Sequence, residues 1–229
     1  MTNLLFDLPP VPAVPVRGSD ALYPIRRIFC VGRNYEAHAK EMGVVPDREA
    51  PFYFTKTPLH WVATGATLKY PPGTANYHYE MELVIAIGEP TFQVSAEDAW
   101  ASVFGYACGL DMTRRDLQLK ARDKGRPWDL GKDFEDSAVL GPIVRAGEVA
   151  RMTHGKIELK VNGAIKQSSD LGLLIHGVPA IIADLSKFYR LQPGDLIYTG
   201  TPEGVGAVNS GDHLEGTIEG LGTITAHIV

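Results

Sequence analysis

Three carboxylates carry the most chemical information in this chain. The segment Tyr77-His-Tyr-Glu-Met-Glu-Leu-Val-Ile puts Glu80 and Glu82 two residues apart, and on a strand residues i and i+2 share a face. Met81, Leu83, Ile85 and Ile87 form an apolar opposite face, while Val84 and Ala86 continue the glutamate face, so this strand is expected to be covered on both sides. Adjacent carboxylates at the mouth of a buried strand repel one another and lose hydration. A hard divalent cation such as Mg²⁺, which takes oxygen ligands, meets both costs. An exposed strand end with two hydrated glutamates fits this segment equally well. Asp111 follows the small-residue run Gly105–Leu110 and precedes an expected helix, where its carboxylate can project from a sheet edge and complete an all-oxygen set. At that position Asp111, or Thr113, also serves simply to cap the helix.

The expected helix 113–124 carries Arg115 and Gln118 on one face at i, i+3, a pair suited to a carboxylate or keto oxygen but equally common on a solvated surface. His38 and Glu41 have the same spacing on a short helix after Gly32, and a carboxylate beside an imidazole orients it as a base for water. Exposed polar residues share that spacing. Lys132, between Gly131 and Asp133, offers positive charge to an enolate or carboxylate, or is an ordinary surface lysine. The loop Thr199-Gly-Thr-Pro-Glu-Gly-Val-Gly206 lacks the Lys-Ser/Thr of a phosphate loop, so nucleotide binding is not expected, although its hydroxyl and amides suit a carboxylate. No Gly-x-Ser-x-Gly elbow, activated cysteine motif or zinc-type Cys/His spacing occurs.

The elements that must position these groups read as strand-rich. Residues 1–24, with five prolines from Pro9 to Pro24, are expected to form an extended arm, and residues 25–229 a single domain. Strands are expected at 25–31, 52–56, 67–70, 79–87, 104–110 and 196–199, with a further pair around Gly220–Gly222. Asn162-Gly163 between two apolar runs predicts a tight hairpin. Asn34 is the expected cap and Gly43 the stop of the His38 helix, Ser95 opens a second helix, and Pro179 begins another that buries Ile181, Ile182, Leu185 and Phe188. The fold class is mixed α+β, β-rich, with a few helices.

The 229 residues suffice for a self-supporting core. A net charge of −5 with no Lys/Arg run gives no footprint for nucleic acid, while leaving room for a local cationic pocket that takes a small anion. Cys30 and Cys108 are expected as buried free thiols. No apolar stretch is long enough for a membrane helix and the N-terminal segment lacks a basic leader, so a cytoplasmic location is expected.

Five segments together resemble the fumarylacetoacetate hydrolase family over about residues 25–229. They are Gly32-Arg-Asn-Tyr-Glu-Ala-His-Ala-Lys-Glu-Met42, His78-Tyr-Glu-Met-Glu82, Leu110-Asp-Met-Thr-Arg-Arg-Asp-Leu-Gln118, Trp128-Asp-Leu-Gly-Lys132 and Thr199–Gly206, in family order. The stretch Gly18–Met42 is most similar to a bacterial subfamily acting on fumarylpyruvate. The resemblance implies a mixed β-roll, a homodimer, and Mg²⁺ or Mn²⁺ held by Glu80, Glu82 and Asp111. It further implies a lid dyad of His38 and Glu41, and substrate contacts from Arg115, Gln118, Lys132 and Thr201. Asp133 departs from the family pattern, which has a small residue there, and invites pairing with Lys132. The implied reaction is hydrolytic C–C cleavage of a 2,4-diketo acid, a small anionic substrate, to pyruvate and a carboxylic acid. Oxaloacetate decarboxylation, isomerisation of unsaturated keto acids, and a non-catalytic metal- or small-molecule-binding role are the competing readings.

Overall fold

The computed structural model describes residues 5–7, 9–43, 45 and 50–229. Its centre is the strand Met81–Ile87, in an eight-stranded sheet. From one edge this sheet runs Phe52–Lys56, Arg27–Gly32, Asp195–Tyr198, Met81–Ile87, Val103–Asp111, Ala138–Leu140 and Trp61–Ala63, with Val144–Arg145 also pairing to Val103–Asp111. A five-stranded sheet, Ala164–Asp170, Lys156–Val161, His213–Ile218, Gly222–Ile228 and Ala66–Leu68, packs across it. Parallel and antiparallel pairs mix in both sheets. The whole is the strand-rich α+β roll expected from sequence.

Alternation explains why the central strand is buried on both sides. Leu83, Ile85 and Ile87 join the larger core, with Leu159, Ile224 and the helix residues Ile181, Ile182 and Leu185. Val84 and Ala86 join the second core on the other side, with Ala107, Tyr198 and the N-terminal Val14, Val16 and Tyr23. Those N-terminal residues belong to a hairpin of Ala13–Pro15 and Leu22–Pro24. Prolines at strand ends are compatible with so short a two-stranded pairing, and the buried valines dock this part of the expected arm onto the domain.

Four α-helices are described: α1 (Glu36–Glu41), α2 (Arg115–Asp123), α3 (Asp129–Lys132) and α4 (Val178–Phe188). The Asn162-Gly163 turn is present with both residues at positive φ, 51° and 79°, the combination that a tight hairpin requires.

Several local expectations need correction. Asn34 does not cap α1, because its amide donates to Thr199 O (2.7 Å) and His176 O (2.9 Å), tying together two loops. Ser95 accepts the Asp98 N–H as a cap would, but only a 3-10 turn, Asp98–Ser102, follows. Helix α2 starts two residues later than expected, since Thr113–Arg114 pair with the strand Tyr77–Tyr79, so neither Asp111 nor Thr113 is a cap. Phe188 lies at the end of α4 and is 69% exposed, one turn beyond the buried stripe. The expected strand 79–87 is broken at Glu80, into Tyr77–Tyr79 and Met81–Ile87.

Candidate active site

The break at Glu80 builds the site. Met81 N–H donates to the Gln167 side chain (3.0 Å), while Glu80 O accepts from Asp111 N (2.9 Å). The chain around Glu80 is therefore held by specific partners where the ladder lapses. Glu82 lies in the strand proper, paired with Gly109, and Asp111 ends the neighbouring strand. Donor atoms of Glu80, Glu82 and Asp111 lie within 4.8 Å of one another, and all three residues are buried. The exposed-strand-end alternative is thereby excluded.

Cations ring this triad. Lys132 Nζ donates to Glu80 Oε2 (2.6 Å), Asp111 Oδ2 (2.7 Å) and Thr113 Oγ1 (2.8 Å). Arg115 donates to Glu80 Oε1 and to Gln118 Oε1. Lys56 Nζ lies 2.9 Å from Asp111 Oδ1 and donates to the Met112 and Lys132 carbonyls. The placement of Lys132 depends on Gly131: a Cβ there would come within 2.8 Å of Gln118 N, so glycine lets α3 pack directly against α2.

Charge is unevenly compensated. Burial resists ionisation of Glu80, but Lys132 and Arg115 override it and hold this carboxyl below its ordinary range. Burial likewise opposes the charge on Lys132, which Asp111 and Glu80 more than restore. Glu82 is the outlier. Burial, with the negative charges of Asp111 and Glu80, pushes it well above the usual carboxylate range, against which the Gly200 N–H (2.7 Å) is a small offset. Asp111 Oδ1, despite its neighbouring ammonium, has no hydrogen bond of good geometry among the described residues. A buried ion costs several kcal/mol when poorly compensated. An all-carboxylate donor set with this deficit fits a hard divalent cation, Mg²⁺ or Mn²⁺.

Helix α1 closes the site from above. His38 Nδ1 and Glu41 Oε2 are 3.1 Å apart, and Gly204 N–H donates to Glu41 Oε1 (3.1 Å). Burial opposes ionisation of Glu41, yet the His38 and Gly204 hydrogen bonds win and keep it below its ordinary range. A carboxylate on Nδ1 selects the tautomer whose Nε2 is free to accept a proton. His38, Glu80, Glu82, Arg115, Gln118, Lys132 and Thr201 line one pocket with about 30 Å³ of free space. That holds water or an ion but no organic acid, so a substrate must enter by displacing a wall. The expectation that residues 34–49 move as a lid falls partly outside the described residues, at 44 and 46–49.

Two sequence readings resolve differently from the simplest expectation. Thr201 Oγ1 donates to Met81 O and accepts from Gln167, and Gly200 N binds Glu82, so the glycine loop serves the protein's own carboxylate. Asp133 does not pair with Lys132; its carboxylate accepts from Thr57 N (2.7 Å) and Thr57 Oγ1 (2.8 Å) and lies 2.6 Å from His60 Nδ1.

Sequence reasoning missed Lys56, Gln167 and the part played by His78. Lys56 shares a strand face with Phe52 and Phe54, and a lysine ending an aromatic stripe was the available signal. Burial and the Arg115 charge lower the His78 pKa to about 4. The ring is thus neutral, with Asn76 near Nε2 (2.8 Å) and Arg115 Nε near Nδ1 (3.5 Å). Gln167 gave no signal in its local sequence.

Comparison with known proteins agrees with this geometry. The family model described as fumarylacetoacetate (FAA) hydrolase C-terminal matches residues 27–229. A fumarylpyruvate hydrolase of Ralstonia sp is 60% identical over 177 residues, covering 77% of this chain and 92% of its own. The crystal structure of fumarylpyruvate hydrolase from Pseudomonas aeruginosa, in complex with Mn²⁺ and pyruvate, superimposes with a TM-score of 0.96 at 48% identity, covering 99% of each chain. A human mitochondrial oxaloacetate tautomerase is 38% identical over 200 residues, covering 87% of this chain and 90% of its own. The chain belongs to the fumarylacetoacetate hydrolase family.

Proposed function

We propose that this protein is a divalent-metal-dependent hydrolase that cleaves the C–C bond of an acylpyruvate, fumarylpyruvate being the foremost candidate, to give pyruvate and a carboxylic acid. The observation that carries this reading is the buried triad of Glu80, Glu82 and Asp111, undercompensated at Glu82 and faced by the His38–Glu41 dyad. The Ralstonia and Pseudomonas relatives support the choice of substrate and of metal.

Glu80, Glu82 and Asp111 would hold Mg²⁺ or Mn²⁺. When bound, the cation supplies Lewis-acid stabilisation of the keto acid and of the enolate that leaves. The chain's own residues do the rest. Arg115 and Gln118, hydrogen-bonded to one another, orient the substrate carboxylate. His38, held by Glu41, takes a proton from water at Nε2 as that water attacks the distal carbonyl. Collapse of the adduct breaks the bond to the methylene carbon and releases pyruvate as its enolate. The Lys132 ammonium stabilises that charge and lies within reach to return a proton. Thr201 holds the strand end that carries the glutamates. A homodimer in the cytoplasm is part of the same reading, drawn from the family resemblance.

The tautomerase relative favours a second activity, enolisation of oxaloacetate at the same site, which needs no attacking water. Pyruvate release from acetylpyruvate and fumarylpyruvate with Mg²⁺ or Mn²⁺, set beside oxaloacetate turnover, separates the two. Turnover of oxaloacetate with no cleavage of any acylpyruvate would overturn the hydrolase reading.

A further inference from the structure

Helix α2 presents Arg115, Gln118, Leu119 and Arg122 to the pocket, the i, i+3, i+4, i+7 spacing of one helix face. At 1.5 Å per residue, Arg122 stands about 10 Å further along the axis than Arg115. Arg115 is bonded to Glu80 at the inner end, whereas Arg122 donates to Met42 O at the end of α1. The opposite wall carries Arg33, at the turn after the strand Arg27–Gly32. Arg33 has φ +58°, a left-handed conformation uncommon for a residue with a side chain, and its guanidinium lies over Trp128 (5.5 Å) and Phe52 (5.8 Å).

These two arginines have little to neutralise them. Arg33 has aromatic faces but no acidic partner among the described residues. Arg122 pairs only with Asp123, its 64%-exposed chain neighbour, a contact of small energetic worth. Burial and the nearby Arg122 charge both lower the Arg33 pKa. Two guanidiniums on one pocket, stacked on aromatics with N–H edges unpaired, form a site for a carboxylate. Between them and the carboxylate triad the pocket is lined by Leu119, Met42 and Phe54, suited to hydrocarbon. Acid-binding groups therefore stand at both ends of a short apolar passage.

We propose that Arg33 and Arg122 bind a carboxylate at the far end of the acyl chain, so that the site selects acylpyruvates whose acyl group is itself an acid. This specificity rests on the acylpyruvate reading and goes further, because cleavage itself requires no charge on the acyl group. An extended chain of six C–C bonds spans about 7–8 Å between its carboxyl carbons. Hydrogen bonds of about 3 Å at each end bring it within reach of two arginines set this far apart on one helix.

The test uses a pair of 2-oxo acids that the enzyme cannot hydrolyse because they lack the second keto group. These are 2-oxoheptanedioate and its monoacid counterpart 2-oxoheptanoate. Calorimetry on the Mn²⁺-loaded protein should give at least about tenfold tighter binding of the diacid, the worth of a charge-assisted hydrogen-bonded pair. Arg122→Gln, or Arg33→Asn, which tolerates the left-handed backbone, should remove most of that preference and leave the monoacid within about twofold. Equal affinity of the wild type for both acids overturns the proposal while leaving the hydrolase reading intact. Equal weakening of both acids in both variants overturns it as well, because the arginines would then only support the pocket. Failure of either acid to bind, with Mn²⁺ bound, overturns the keto-acid reading together with the clamp.

Discussion

Lys132 Nζ lies 2.7 Å from Asp111 Oδ2, so the ammonium expected to stabilise an enolate is joined directly to an expected metal ligand. It occupies the triad's edge as an internal cation. Replacing it with Met leaves Asp111 and Glu80 without their main counter-charge, a change that costs about 3–5 kcal/mol for a buried pair. The metal-free Lys132→Met variant should therefore melt well below the wild type and recover more on adding Mn²⁺. Its Mn²⁺ affinity should not fall, since a competing cation is gone, while pyruvate release drops at least about a hundredfold. Thermal unfolding with and without Mn²⁺, beside calorimetry, checks this; reduced metal affinity would make Lys132 part of the metal site itself.

The His38–Glu41 pair should affect water and not metal. His38→Ala is expected to lower kcat for acylpyruvate cleavage by about 10²–10⁴-fold with Mn²⁺ affinity within twofold. Glu41→Gln should lose less, because the imidazole remains and only its orientation and tautomer preference weaken. Oxaloacetate enolisation, which needs no attacking water, should suffer less than cleavage in both variants. A parallel loss of the two activities would assign His38 to substrate binding.

Gly131 gives a steric prediction. With a Cβ meeting Gln118 N at 2.8 Å, Gly131→Ala must push α3 away from α2, and overpacking of this kind costs about 1–3 kcal/mol. Because Lys132 is the next residue, kcat should fall along with stability. An alanine variant of wild-type stability and activity would show that α3 shifts freely.

Asp133 should shape the acid limb of stability. Burial would raise its pKa, but the Thr57 and His60 contacts outweigh burial and depress it in the folded state. A depressed carboxyl contributes stability above its unfolded value of about 3.9 that is lost as pH falls through the lower folded value. The stability gap between wild type and Asp133→Asn should therefore narrow below about pH 4. Urea unfolding at a series of pH values measures it, and a gap that widens on acidification would reject the assignment.

The roll and the triad were legible because both rest on local pattern. Period-two alternation at Met81–Ile87 gave a strand buried on both faces, and the i, i+2 glutamates followed from it. The strand break at Glu80 was not legible, since it is set by Gln167, 86 residues away, and by Asp111. Asn34 carries a good cap residue's chemistry, yet its amide serves Thr199 and His176, which local sequence cannot foresee. Lys132 and Asp133 were adjacent in sequence and read as partners, whereas the turn into and out of α3 sends their side chains to different neighbours. Long-range partnership is what pattern reading lacks.

The most direct test of the central claim is pyruvate release from fumarylpyruvate after chelation and metal add-back. Wild-type protein stripped by a chelator should lose essentially all activity and regain it on adding Mn²⁺ or Mg²⁺. Glu82→Gln, which removes the least compensated of the three carboxylates while preserving its shape, should stay folded and fail to recover. Undiminished turnover in the stripped wild type, or full recovery in Glu82→Gln, would contradict a metal-dependent hydrolase built on Glu80, Glu82 and Asp111.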